Sequence, residues 1–494
     1  MTAVNVQGLR IRISGRSVVD DVSFTVQPGE CVAIVGESGA GKSLTARALL
    51  GLLPAGAVST ASRLEIAGAE AALLGERGWR MLRGRSIALV SQDALAALDP
   101  LRRIGREIAE PMQIHGLHAD GRDARVLDLL ASVSMPDPQR HARSRPHELS
   151  GGMRQRALIA SALAADPAVL VADEATTALD ATVQARILDL LRRIADEGTA
   201  VVFISHDFAA VRRVADRVLV MQGGAIVEQG AVDEVMRAPR SEYTRALVAA
   251  STPEPRLSRS AVSVPLLQAQ GLSVTFDRPA VVAASFTLSA GRTLGVVGES
   301  GSGKTTLARV LVGVQHPDAG ELAWTSPQRV QLVHQNPLGA FDPRWTIARS
   351  LTEALQAAGV PRAERPGRVS GLLAEVGLDP ESARRRPREL SGGQRQRAAI
   401  ARALAADPTV LVLDEPVSAL DPTVRERVLE LLDRLQRERA LTMVFVSHDL
   451  AVIAAVCDDV LVMQDGAIVE QGPVADVFAA PRHPFTRELL AAGS

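Results

Sequence analysis

Val35-Gly36-Glu37-Ser38-Gly39-Ala40-Gly41-Lys42-Ser43 decides how this chain is read, and Val297-Gly298-Glu299-Ser300-Gly301-Ser302-Gly303-Lys304-Thr305 repeats it. Both fit G-x-x-x-x-G-K-[S/T]. Each follows an apolar run with strand character (Cys31 to Val35; Thr293 to Val297) and opens a helix-forming run (Leu44 to Leu53; Thr306 to Val314). That strand–loop–helix context separates a phosphate loop from a chance run of glycines. The glycines let successive backbone N–H groups turn inward around phosphate oxygens, and the helix N-terminus adds partial positive charge. Lysine's compact ammonium reaches the β- and γ-phosphates inside such a nest, where a planar guanidinium is too broad. Ser43 and Thr305 supply the hydroxyl for Mg²⁺. The nucleotide-contacting set is therefore Gly36 to Ser43 and Gly298 to Thr305.

Composition strengthens this reading. Of 55 basic side chains, 53 are arginine and two are lysine, and the two lysines are Lys42 and Lys304. A coding bias toward arginine accounts for the 53; phosphate chemistry accounts for where lysine persists. At roughly 150 residues per domain, the 494 residues imply more than one domain. A net charge of −1 provides no global basic field for nucleic acid or anionic lipid. With 47% hydrophobic and 22% charged residues the chain is an ordinary globular one. Its two cysteines exclude a disulfide scaffold, a four-cysteine zinc site and an all-cysteine iron–sulfur cluster. Met1 precedes neither a charged nor an apolar leader, and the uncharged stretch from Ser260 to Phe276 is broken by Ser, Pro, Gln and Gly, so a cytosolic protein is expected.

Working outward from the loops, the chain realigns on itself. The lysines are 304 − 42 = 262 residues apart. Leu149-Ser150-Gly151-Gly152-Met153-Arg154-Gln155-Arg156 recurs 241 residues later as Leu390-Ser391-Gly392-Gly393-Gln394-Arg395-Gln396-Arg397. Val169 to Glu174 recurs at the same offset as Val410 to Glu415, and Ser205-His206-Asp207 recurs 242 later as Ser447-His448-Asp449. The offset falls by 21 between loop and Leu-Ser-Gly-Gly, mostly before Gln335, which predicts that the second unit has lost the counterpart of Ala55–Arg85. The boundaries read as 1–250, a Pro- and Ser-containing linker at 251–264, and 265–494. Apolar β-branched runs alternating with Ala/Leu/Arg helices predict an α/β layer fold with buried, largely parallel strands. The stretch between Gln92 and Leu149 would form a separate helical subdomain.

Asp173 and Asp414 end apolar strands, where a carboxylate holds Mg²⁺ directly or through water. Glu174 and Glu415 follow, placed to activate or orient the attacking water. In isolation an Asp-Glu pair there would be read as a helix N-terminal charge complement; downstream of a phosphate loop, twice, it is read as catalytic. His206 and His448 each end a later strand and are assigned a γ-phosphate contact. Ser-His-Asp in sequence is not a hydrolase triad, since three consecutive residues cannot converge and no nucleophile elbow exists. Gln92 and Gln335 sit just after strands, and each on its own would be an ordinary surface residue. Leu-Ser-Gly-Gly opens a helix as a second anion-binding terminus.

Taken together, these elements resemble the nucleotide-binding domain of ATP-binding cassette (ABC) proteins, present twice over almost the whole chain. The resemblance rests on the phosphate loop, Gln loop, Leu-Ser-Gly-Gly signature, Asp-Glu strand end, Ala178-Leu179-Asp180 and Ala419-Leu420-Asp421, and the switch histidine. It implies tandem P-loop NTPase domains, each with a mainly parallel core sheet, an antiparallel β part and a helical subdomain. It implies an intramolecular head-to-tail cassette dimer binding two ATP with Mg²⁺. One site would pair Lys42, Gln92, Asp173, Glu174 and His206 with Ser391 and Gly393; the other pairs Lys304, Gln335, Asp414, Glu415 and His448 with Ser150 and Gly152. Catalytic roles fall to the glutamates, histidines and Gln loops; the Mg²⁺ set is Ser43, Gln92 and Asp173, and Thr305, Gln335 and Asp414. Both sites should hydrolyse ATP. Phe276 matches the family's adenine-stacking aromatic; the equivalent place in the first unit holds Ile13 or Ser14, which loses the stacking.

Within the family, Gly-Glu-Ser-Gly, the Gln-loop surroundings (Leu98-Asp99-Pro100; Phe341-Asp342-Pro343) and Pro481-Arg482-His483-Pro484-Phe485-Thr486-Arg487 are similar to the dipeptide/oligopeptide/nickel importer branch. Pro239-Arg240-Ser241-Glu242-Tyr243-Thr244 is a worn copy of that last element. The branch implies a peripheral ATPase at the cytoplasmic face of the membrane, acting on two separate permease subunits fed by an extracellular solute-binding protein, with no nucleic-acid partner. Two alternatives stand beside it: the ATPase of a sugar-type importer, and a double-cassette translation factor. The short linker disfavours the second. The runs Arg102-Arg103 and Arg384-Arg385-Arg386 read as solvated helix faces. The solute, and import against export, are not encoded in these motifs.

Overall fold

The computed structural model describes residues 2–91, 97–176, 181–251, 264–418 and 420–493. Contacts divide the chain into two compact units that meet in sequence at Ser251–Thr252.

In the first unit β1 (Val4–Ile13) and β2 (Arg16–Val26) form an antiparallel hairpin, followed by β3 (Cys31–Val35). β4 (Ala57–Thr60) and β5 (Arg63–Ile66) both pair with β1, and β6 (Ala69–Glu70) with β5. β7 (Ile87–Val90), β8 (Val169–Asp173), β9 (Ala200–Ile204), β10 (Arg217–Gln222) and β11 (Ala225–Ala231) join β3 in a six-stranded sheet ordered β11-β10-β3-β9-β8-β7. All its pairings are parallel except β10–β11. Every residue of β3, β8 and β9 is buried. That is why these strands read as continuous apolar runs: both faces of a parallel sheet are covered, leaving no polar side to alternate with.

The second unit repeats the plan: β12 (Pro265–Thr275), β13 (Pro279–Ser289), β14 (Thr293–Gly298), β15 (Ala319–Trp324), β16 (Val330–Val333), β17 (Val410–Asp414), β18 (Thr442–Val446), β19 (Asp459–Gln464) and β20 (Ala467–Pro473). Its sheets run β13-β12-β15 and β16-β17-β18-β14-β19-β20. The shortened segment is visible here. Where the first unit has β4 to β6 and a helix, Glu76–Leu82, the second has β15 alone. The extra helix is tied to the end of the phosphate-loop helix: Arg83 donates to the carbonyls of Leu50 (2.7 Å) and Gly51 (2.9 Å).

Helical subdomains lie between β7 and β8 and between β16 and β17. The first holds Ile104–Ile114, Arg122–Ser132, Pro138–Arg143 and Gly151–Leu163; the second holds Ile347–Ala357, Arg365–Glu375 and Gly392–Leu404. The arginine runs are not helix faces, as expected from sequence, but helix ends. Arg102 precedes its helix and reaches forward to Glu107 (3.0 Å) and Glu110 (2.9 Å). Arg384 closes a 3₁₀ turn, Pro380–Arg384, and Arg386 caps the next, where its N–H donates to Glu389. Pro at the start of each turn sets these boundaries.

Glycine is obligatory in the phosphate loops. A Cβ on Gly298 (φ 151°) would lie 2.2 Å from the Met463 carbonyl oxygen, and one on Gly303 (φ 96°) 2.0 Å from that of Ala280. Gly301 (φ 84°) has open space around it. We expect Gly303→Ala to lower stability by about 3 kcal/mol, as backbone cannot yield like a side chain, and Gly301→Ala by only about 1 kcal/mol. Urea unfolding of the second unit checks the ranking.

Candidate functional site

Both lysines are almost fully buried, at 6% and 7% exposure. Lys42 Nζ donates to the carbonyls of Gly36 (2.8 Å) and Glu37 (2.9 Å). Lys304 Nζ donates to those of Gly298 (2.8 Å) and Glu299 (2.7 Å), with Ser302 Oγ at 3.5 Å. A buried ammonium must keep its donors satisfied, and the loop's own carbonyls do this. Gly41 and Gly303, both with φ near 97° (98° and 96°), turn the chain into the helices that begin at Lys42 and Lys304. No acidic residue lies in either first turn, which leaves those N-termini open to an anion.

Beside each lysine, the loop hydroxyl meets the strand-end carboxylate. Ser43 Oγ donates to Asp173 Oδ1 at 2.9 Å, and Thr305 Oγ1 to Asp414 Oδ1 at 3.2 Å. Burial pushes both aspartate carboxyls above the usual range, and Glu174 or Glu415 next door adds to it, against the pull of the hydroxyl, Arg47 or Arg309, and the lysine. A hydroxyl and a desolvated carboxylate side by side are hard oxygen donors, the set that fits Mg²⁺.

Glu174 and Glu415 adopt left-handed backbone (φ 49° and 47°), and their N–H groups donate to Ile204 and Val446, last residues of the adjacent strands. That turn aims each carboxylate at the histidine ending the neighbouring strand: His206 Nδ1 lies 3.6 Å from Glu174 Oε1, and His448 Nδ1 3.3 Å from Glu415 Oε1. Gln335 Nε2 donates to Glu415 Oε2 at 2.7 Å. Burial would raise the Glu415 carboxyl, but the His448 hydrogen bond and charge, with Lys304 and Ser418, hold it below the usual range. The aspartate of each Ser-His-Asp is a helix cap: Asp207 accepts from Ala209 and Ala210 N–H, Asp449 from Ala451 and Val452.

Lysine, hydroxyl, aspartate, glutamate and histidine thus converge in each unit, with Gln335 joining in the second; Gln92 and the Ala178-Leu179-Asp180 loop lie outside the described residues, as does Ala419. Asp421 caps the helix Pro422–Arg439. Ser150 and Ser391 are N-caps, accepting from Met153 and Gln394 N–H at 3.3 Å. Gly152 and Gly393 allow close packing, since a Cβ would fall 2.5 Å from Val183 Cγ1 and 2.2 Å from Val424 Cγ1. Phe276 follows β12 with 57% exposure, an uncovered ring. Ile13 is partly covered and Ser14 exposed.

Two features escaped the sequence reading. Arg47 and Arg309 act on the buried aspartates, one helical turn or so beyond the lysines. The Glu37 N–H donates to Tyr243 Oη at 2.9 Å; the signal available was that Tyr243 is the chain's one tyrosine.

The protein-family model described as ABC transporter matches residues 19–177 and 281–418, and the one for the oligopeptide/dipeptide transporter C-terminal region matches 469–493. The peptidoglycan transport ATP-binding protein YejF of Agrobacterium fabrum is 43% identical, over 96% of this chain and 92% of that protein. The glutathione import ATP-binding protein GsiA of Escherichia coli O6:H1 is 41% identical, over 96% and 86%. Among solved structures, an archaeal ribosome recycling factor, aABCE1, superposes with a TM-score of 0.68, covering 97% of this chain and 94% of that one. Its 21% identity shows the fold alone.

Because Asp414 has a folded pKa above its unfolded one, its contribution is favourable at low pH and is lost as pH rises through the folded value. Asp414→Asn should therefore raise the melting temperature of nucleotide-free protein in EDTA at about pH 8, and the gain should vanish toward about pH 4, while ATP hydrolysis by the second site falls at least about 100-fold. Thermal unfolding across that range, beside a phosphate-release assay, checks both.

Proposed function

The chain belongs to the ABC transporter family of ATP-binding proteins and is an ATPase coupled to transport; from that premise we propose that it powers an importer of peptides or related small solutes, such as glutathione-like molecules or nickel. The observation carrying the branch is the C-terminal region at 469–493, together with the transport-named relatives. Among the described residues no helix is long and apolar enough to cross a membrane. We assign the chain two permease subunits, an extracellular solute-binding protein acting through them, no nucleic-acid partner, and a place at the cytoplasmic face of the membrane.

In the proposed cycle Lys42 and Lys304 exchange loop carbonyls for the β- and γ-phosphates of ATP, and the loop amides from Gly36 to Ser43 and Gly298 to Thr305 cradle the rest. Ser43 with Asp173, and Thr305 with Asp414, would hold Mg²⁺, joined by Gln92 and Gln335, and the cation would supply charge neutralisation at the phosphates. Glu174 and Glu415 accept a proton from the attacking water or orient it; His206 and His448 fix the glutamate and contact the γ-phosphate. Phe276 stacks adenine in the second cassette. Ser150, Gly152, Ser391 and Gly393 serve ATP held by the opposite cassette, so that ATP drives the two to close and hydrolysis releases them.

Glu174→Gln with Glu415→Gln should keep ATP binding within about threefold and lower turnover at least about 100-fold; unchanged turnover would remove the glutamates from the mechanism. Lys42→Arg and Lys304→Arg should each weaken ATP binding about tenfold or more despite keeping the charge, since the guanidinium cannot enter the carbonyl pocket. Affinity purification from membranes should bring two multi-span permease chains; ribosomes in their place would favour the translation reading, and a sugar permease pair the sugar-importer one.

A further inference from the structure

Both phosphate loops hold their lysine by the same two carbonyls, yet they are braced differently from behind. In the first cassette the Gly36 carbonyl that accepts from Lys42 (2.8 Å) and the Glu37 N–H that donates to Tyr243 Oη (2.9 Å) are two ends of one peptide group. A peptide group is rigid and planar, so the tyrosine hydroxyl fixes the orientation of the plane on which the ammonium rests. The plane needs fixing, because Gly36 adopts φ 147° with no side chain to restrict it.

Tyr243 is itself firmly rooted. Its helix starts behind Ser241, whose Oγ accepts from the Thr244 N–H at 2.9 Å. The N–H groups of Arg240 and Ser241 donate to the Glu228 carboxylate of β11 at 2.8 and 3.0 Å, and Thr244 is fully buried. The second cassette has the same root: Arg482 and His483 N–H donate to Glu470 of β20 at 2.8 and 3.0 Å. The residue in Tyr243's place is Phe485, 485 − 243 = 242 positions on, the offset that also relates the two histidines. Phe485 is buried at 6% exposure in its own core and has no oxygen to offer the Glu299 N–H. There the lysine instead approaches Ser302 Oγ at 3.5 Å, where the first loop has Ala40.

A buried ring alone therefore suffices to seat this helix. The hydroxyl on Tyr243 does something further. We propose that Tyr243 is a positioning residue for nucleotide binding in the first cassette, acting through the Gly36–Glu37 peptide on Lys42. The two sites then differ in affinity because the second lacks that tie. The proposal rests on reading the loops as the ATP sites.

The test isolates the first site with Lys304→Ala, which removes the second lysine. In that background Tyr243→Phe should raise the Kd for Mg-ATP about three- to tenfold, the worth of one hydrogen bond, with a melting temperature unchanged within about 1 °C because the ring is kept. Since the chain has one tyrosine, 3-fluorotyrosine labelling gives a single ¹⁹F resonance. ATP should shift it in the wild type and in Lys304→Ala, and not in Lys42→Ala. A Kd unchanged within twofold, a Kd loss matched by a fall in melting temperature, or a resonance that ignores ATP would each overturn the proposal. A Lys304→Ala parent that binds no ATP would overturn the nucleotide-site reading, and this proposal with it.

Discussion

A buried ammonium resting on backbone carbonyls is the constraint from which the rest of each unit follows. Lys42 and Lys304 each donate to two carbonyls of their own loop, which are neutral partners. Carbonyls can converge on the ammonium only if the loop is wound tightly, which requires Gly36, Gly41, Gly298 and Gly303 with the backbone of Met221 or Met463 pressed against the first of each pair. That pressure needs a rigid neighbour. The central parallel strands supply it: β3 lies between β9 and β10, and β14 between β18 and β19.

The sheet order then determines the chemistry. Placing β9 next to both β3 and β8 brings three strand ends to one edge: the phosphate loop after β3, Asp173-Glu174 at the end of β8, and His206 after β9. Separation of acid functions follows from position along the strand. Asp173, the final residue of β8, is 7% exposed and faces the loop hydroxyl, while Glu174, in left-handed backbone one step later, turns toward the histidine. The two carboxylates, although adjacent in the chain, thereby face different partners, one the loop hydroxyl and the other the histidine.

Much of this was legible because it is encoded locally. Phosphate loops, buried parallel strands and the strand-end residues each carry a pattern within about ten residues, and duplication at offsets of 241 to 242 supplies an internal control. What escaped reading is tertiary. Arg102 was expected on a solvated face, but Glu107 and Glu110 draw it to the start of its helix. The Asp of Ser-His-Asp could have been read as part of the site, yet it caps the next helix, a role set by the strand's exit. Ser150 and Gly152 show the reverse limit. The sequence places them at a helix start, and the packing of Gly152 on Val183 explains the second glycine without any ligand. Their service to ATP is an inference from family, not from local geometry.

The differences between cassettes fall where that constraint permits them. Residues that meet one another keep type and spacing: Ser43 and Thr305 on their aspartates, Glu174 and Glu415 on their histidines. Some of the supports behind them differ. The first cassette fastens the end of its phosphate-loop helix with Arg83 from a segment that the second has lost, and braces the loop with a hydroxyl that the second replaces by a ring. Similar differences extend to the base of the sheet, where Arg192 ties Asp216 in one unit and Gln436 bonds Thr293 in the other. Supports tolerate change because several geometries can fix one loop, whereas the lysine, hydroxyl and strand-end carboxylate meet in the same way in both units. Divergence between the two units is thus visible in what supports each loop, while the lysine, hydroxyl and strand-end carboxylate keep the same contacts in both.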